Sequence, residues 1–168
     1  MLKRHEVFTA EEQELIISAI KAQNNHQFTT FILLMQCSAM RVGEAIAVSW
    51  KNIDLDAKTA VVSEKKVRQP VKKPCGCDGD FEECVEPIRS GLRTVPLSDE
   101  AILALTILSE SQPQKTERVF GDTKTQTFLS MWKRTINDLI AKGSLKADKS
   151  YNLHTWRHTA ILNNSHLK

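Results

Sequence analysis

The stretch "QFTTFILLMQCSAM", residues 27–40, stays apolar on almost every side when wound into a helix. A surface helix keeps a polar face, so a helix like this is stable only when other elements enclose it. The remainder of the chain must therefore supply a shell, and 168 residues are enough for one such core but leave little room for two. A single domain over residues 1–168 is expected, with a globular composition of 41% hydrophobic and 26% charged residues. No apolar run approaches the ~20 residues that cross a bilayer. The opening "MLKRHEVFTAEEQ" lacks the apolar stretch of a secretion signal. No membrane partner and a cytoplasmic location are the expectation.

Other elements follow from local signals. Thr9-Ala10-Glu11-Glu12 is a capping box, and "ELIISAIKA" continues it with apolar residues at helical spacing, which predicts a first helix from about residue 9 to 23. The enclosed helix is expected to run to about Cys37. "RVGEAIAVSW" reads as a short helix and "NIDLDAKTAVVSE" as a turn followed by a Thr/Val-rich strand. "LRTVPL" is its expected partner strand. Ser98 caps a further helix whose first turn holds Asp99 and Glu100, where the helix dipole favours carboxylates. "TQTFLSMWKRTINDLIAKG" is amphipathic and closed by Gly143, and a last helix carries "LHTWRHTAILNN". The fold class is α+β: mainly α-helical, with a small antiparallel β-sheet of two or three strands between early and late helices.

Residues 65–91 break this regularity. Lys65, Lys66, Arg68, Lys72 and Lys73 fall within nine positions, and five acidic residues follow between Asp78 and Glu86. Prolines at 70, 74 and 87 exclude a continuous helix, so the segment reads as a charge-segregated hairpin insertion. Its cations suit a nucleic-acid backbone, whereas the whole chain's net charge of +3 is too mild to argue for that partner alone. Three of the four cysteines, Cys75, Cys77 and Cys84, also lie here. Three thiolates and one further donor could hold structural zinc, but the C-x2-C pair is missing and a solvated loop with free thiols is the simpler reading.

The chemistry concentrates at two places. Residues three and four apart share a helix face, so His154 and Arg157 point the same way with His158 beside them. A guanidinium grips two oxygens of a phosphate through its planar fork, while an imidazole exchanges a proton near neutral pH. Arg41 follows the enclosed helix directly, Glu44 stands where it can hold that guanidinium, and Gly43 permits a tight turn or a close ligand. Two arginines rooted at the edges of core helices can converge on one oxyanion, as stabilisation of a phosphoryl transition state requires in the absence of a metal. Plainer readings stay open: an ordinary Arg41–Glu44 surface pair, half a metal site at His154 and His158, or a structural role for His158. The zinc-protease pattern would need glutamate where Thr155 stands.

"SAMRVGEAIAVSWKNIDLD" resembles the first box of the tyrosine recombinase (phage integrase) catalytic domain, "LHTWRHT" resembles the second, and "LRTVPL" resembles the strand after the family's β-hairpin. The resemblance covers about residues 5–165. It implies a site-specific DNA recombinase that breaks and rejoins strands through a 3′-phosphotyrosyl link, on double-stranded DNA, as a homo-tetramer on synapsed sites, encoded by a bacterium or phage. In that case Arg41 and Arg157 clamp the scissile phosphate, His154 assists proton transfer, and Glu44 orients Arg41. The covalent intermediate keeps the bond energy, so no cofactor is implied. Lys73 and Arg89 stand in for the leaving-group acid of the family's hairpin or serve as phosphate contacts, and Lys65, Lys66, Arg68 and Lys72 become DNA contacts. The family's tyrosine follows the second arginine, whereas Tyr151, the sequence's one tyrosine, precedes His154. The resemblance thus implies a polypeptide that ends before its nucleophile, lacks the family's N-terminal core-binding domain, and cannot cleave DNA alone. Two alternatives remain: a non-catalytic DNA-binding or regulatory module of the same fold, and a zinc-dependent interaction module built on the cysteines.

Overall fold

The computed structural model describes residues 7–63, 92–112 and 116–165. Six α-helices occur among them: α1 (Ala10–Lys21), α2 (His26–Ser38), α3 (Val42–Ile46), α4 (Asp99–Ser111), α5 (Thr125–Ala141) and α6 (His154–Ser165). A three-stranded antiparallel sheet joins β1 (Ile53–Asp54), β2 (Thr59–Ser63) and β3 (Leu92–Pro96) in that order. The expected α+β class is therefore observed. "LRTVPL" does pair with the Thr/Val strand, from Thr59 opposite Pro96 to Ser63 opposite Leu92. The two-residue β1 lies inside the segment that reads as a turn, because so short an edge strand leaves no alternation to detect.

The enclosed helix is α2. It packs against α1, α3, α4, α6 and β3, and Phe28, Phe31, Ile32, Leu33, Leu34 and Met35 are all buried. Phe31 stacks on Phe128 of α5 with ring centroids 4.4 Å apart, and Phe120 meets Phe128 edge-on at 5.4 Å. Such offset and edge contacts add to the area buried by the rings. Asn25 caps the start of α2 by accepting the Phe28 N–H at 3.0 Å.

At its other end α2 stops on Ala39, whose φ of 53° lies in the left-handed region. Glycine or asparagine normally takes that place, and alanine there costs about 1 kcal/mol. The turn redirects the chain into Met40 and Arg41 at the head of α3.

α1 begins at the expected capping box: Thr9 Oγ1 accepts the Glu12 N–H at 3.2 Å, and Glu12 Oε2 accepts the Thr9 N–H at 2.9 Å. α1 ends at Lys21 rather than residue 23, its last positions forming a turn. The same glutamate does a second job. Lys149, in the loop before α6, donates to Glu12 Oε2 and to the Val7 carbonyl, and Tyr151 donates to Glu12 Oε1 at 3.1 Å. Phe8 N–H reaches Thr159 Oγ1 on α6 at 3.0 Å. Residues 7–12 are thereby fastened across α6, which fixes where that helix begins.

Burial raises the Glu12 pKa, but hydrogen bonds from Lys149 and the Thr9 N–H, the Lys149 charge and the Tyr151 hydroxyl outweigh it and hold the carboxyl below its ordinary value. A carboxyl depressed in the folded state stabilises the fold above its unfolded pKa of about 4.3, and that contribution is lost as pH falls through the folded value. Glu12→Gln is expected to cost about 2 kcal/mol at pH 7 and to flatten the loss of melting temperature between pH 5 and pH 3. Thermal melts of both proteins across that range check this, and parallel curves would remove Glu12 from the acid response.

Candidate active site

Glu44, at the third position of α3, is the point where the candidate residues meet. Its side chain is 8% exposed. The Arg41 backbone N–H donates to Oε2 at 2.7 Å, and Arg41 Nη1 donates to Oε1 at 2.9 Å. Arg157, from the first turn of α6, places Nη1 4.0 Å from Oε2 and donates from the same nitrogen to the Ala39 carbonyl. The left-handed residue that ends α2 thus turns its oxygen toward the second arginine. Arg41 and Arg157, distant in sequence, are brought to one carboxylate.

A third arginine joins them. Arg93 on β3 sets its fork against both oxygens of Glu44, with Nη2–Oε2 2.7 Å and Nη1–Oε1 3.3 Å. Sequence reading passes over it, although a signal exists. Alternation along "LRTVPL" puts Arg93 on the side of Val95, which is 5% exposed. An arginine on the inner side of a strand needs an anion nearby.

These contacts settle the charge state of Glu44. Burial pushes its pKa up, yet hydrogen bonds from Arg93, from the Arg41 N–H and from the Arg41 guanidinium, with the Arg93 charge, prevail and hold it below its ordinary value. Three guanidiniums thus gather around one carboxylate. The Arg41 side chain is 53% exposed and that of Arg157 23%, so an anion arriving from solvent meets the Arg41 fork first. The Arg41–Glu44 pair exists, but as part of a shared cluster on a buried carboxylate rather than as a lone surface pair.

The remaining candidates are placed as follows. His154 is exposed at the first position of α6, and His158 is half-buried one turn on. Gly43 is exposed with open space where a Cβ would stand. Of the two uses open to it, a tight turn or a close ligand, the left-handed turn of this region lies at Ala39. Tyr151 is half-buried and donates to Glu12; burial and the Glu12 charge raise its pKa. Among the described residues no group of three histidine, cysteine or acidic side chains could hold a metal, and no helix is long and apolar enough to cross a membrane. Lys65, Lys66, Arg68, Lys72, Lys73, Arg89, Cys75, Cys77 and Cys84 lie outside the described residues.

A sequence profile of the phage integrase family matches residues 6–165, nearly the whole chain. The chain belongs to the phage integrase family. Structures of the same family's fold agree. A crystal structure of XerA recombinase superposes with a TM-score of 0.63 at 20% identity, over 94% of this chain and 51% of the recombinase. The Tn1549 transposon integrase, in complex with a circular intermediate DNA, gives 0.70 at 13% identity, over 99% and 55%. XerH site-specific recombinase bound to its difH substrate gives 0.61 at 16% identity, over 97% and 44%. This integrase-family chain therefore spans about half the length of the solved proteins that it matches. No curated protein matches its sequence.

Proposed function

We propose that this chain is the catalytic domain of a site-specific DNA recombinase, in which Arg41 and Arg157 bind the two non-bridging oxygens of the scissile phosphate. The observation that carries this reading is the meeting of both arginines at Glu44, with Arg41 held through its backbone N–H and its guanidinium together. Two forks fixed in advance stabilise charge that grows on a pentacoordinate phosphorus without reorganising during the reaction. His154, at the exposed start of α6, assists proton transfer, and Glu44 orients Arg41. A tyrosine oxygen attacks phosphorus, the bond to the 5′-oxygen breaks, and the departing oxygen takes a proton. The phosphotyrosyl ester keeps the bond energy for rejoining.

Double-stranded DNA is the substrate, in keeping with the DNA complexes of the Tn1549 integrase and XerH. The working assembly is a tetramer on synapsed DNA in the cytoplasm. The attacking hydroxyl is not that of Tyr151, which is committed to Glu12, so the reading requires a tyrosine from beyond this sequence.

The test uses the full gene product and a nicked duplex from which the short 5′-hydroxyl fragment diffuses away. A protein–DNA adduct that survives denaturation is expected. Binding without any adduct would sink the catalytic reading and leave a DNA-binding module of the same fold.

A further inference from the structure

We propose that Arg93 is a positioning residue for this reaction, acting through Glu44 to hold Arg41 in its phosphate-binding orientation and to keep the carboxylate's charge from cancelling that of Arg41. The inference rests on the recombinase reading and deepens it.

Arg41 depends on Glu44 for two contacts, one from its backbone N–H and one from its guanidinium. Those contacts hold Arg41 in a single place only if the carboxylate itself cannot swing. A planar fork on both oxygens is the arrangement that stops it, and Arg93 supplies that fork. Arg93 is itself anchored: it lies opposite Val62 in the β2–β3 ladder, next but one to the buried Val95.

The second part of the argument concerns charge. Glu44 alone would offset about as much positive potential as Arg41 provides, and because the carboxylate is only 8% exposed, water screens it little. With Arg93 at 2.7 Å the carboxylate's field is largely taken up on the sheet side. Arg41, 53% exposed against 31% for Arg93, is the one of the two that an incoming anion meets.

The experiment measures single-turnover cleavage of a saturating nicked duplex by the full gene product, with the active fraction read from the reaction amplitude. Arg93→Gln is expected to lower the rate constant roughly 10- to 100-fold, the range typical of groups that orient a site residue from behind, while the amplitude stays near that of the parent protein. Arg93→Lys restores the charge without the fork and is expected to recover part of the loss. In a Glu44→Gln background there is no carboxylate charge to hold, so adding Arg93→Gln should change the rate by less than about threefold. An equal loss in both backgrounds overturns the proposal. So does a loss confined to amplitude with an unchanged rate constant, which is the mark of a purely structural ion pair. No adduct from the parent protein removes the recombinase reading and this role together; a normal adduct with an unaffected Arg93→Gln removes the role alone.

Discussion

Arg157→Ala is expected to reduce the rate of covalent adduct formation by about 10³-fold while DNA affinity falls less than about tenfold. The asymmetry follows from the role proposed for the side chain. A fork that serves one phosphate adds little to duplex binding, which is summed over many phosphates, so equilibrium affinity hardly registers one lost contact. The transition state has no such reserve, because the added negative charge develops only on the reacting phosphorus. The substitution also strips the Ala39 carbonyl of a donor, which costs about 1–2 kcal/mol of stability, so melts must accompany the kinetics. Arg157→Lys keeps the charge but loses the fork, and its rate should lie between the two. Adduct formation by the alanine variant within about tenfold of the parent would take Arg157 out of the chemistry.

The residues legible in the sequence are those whose partners are local. Thr9 and Glu12 form a capping box, Ser98 accepts the Ala101 N–H, and Arg41 pairs with Glu44 three positions on. Each is a contact that helix geometry alone dictates. Arg157 is legible for a different reason: its helix carries a recognisable run of residue types. Arg93 reaches Glu44 across 49 positions, and strand alternation tells which side it faces but not what waits there. The left-handed turn at Ala39 is hidden because the sequence offers alanine, not glycine or asparagine, at a place decided by the packing of α2 against α3 and α6. The double use of Glu12 is equally invisible, since Lys149 and Tyr151 come from the far end of the chain. What sequence conveys is the list of parts and their local braces. What it omits is the set of long contacts that aim them.

Trp156→Ala should be the most damaging change to the fold, at about 3–5 kcal/mol, out of a total stability of about 5–15 kcal/mol for a domain of this kind. The indole is fully buried, 4.7 Å from the Phe8 ring edge-on and 6.3 Å from Trp132. It stands between His154 and Arg157 on α6, so the same packing that fills the core also sets the rotation of the helix about its axis. A cavity there lets α6 turn or slide, and a displacement of about 1 Å is enough to cost roughly 100-fold in rate. Cleavage should therefore fall even at temperatures where the alanine variant remains folded. Trp156→Phe separates the two roles. It keeps an aromatic ring against Phe8, and it removes an Nε1–H that has no acceptor among the described residues, so the lost area is partly offset. Its cost should be about 1 kcal/mol, with cleavage close to that of the parent. Chemical denaturation and single-turnover cleavage of both variants decide the matter. An alanine variant that unfolds readily yet cleaves at the parent rate while folded would show that α6 is aimed by Glu12, Lys149 and Arg157 alone, with the indole serving stability only.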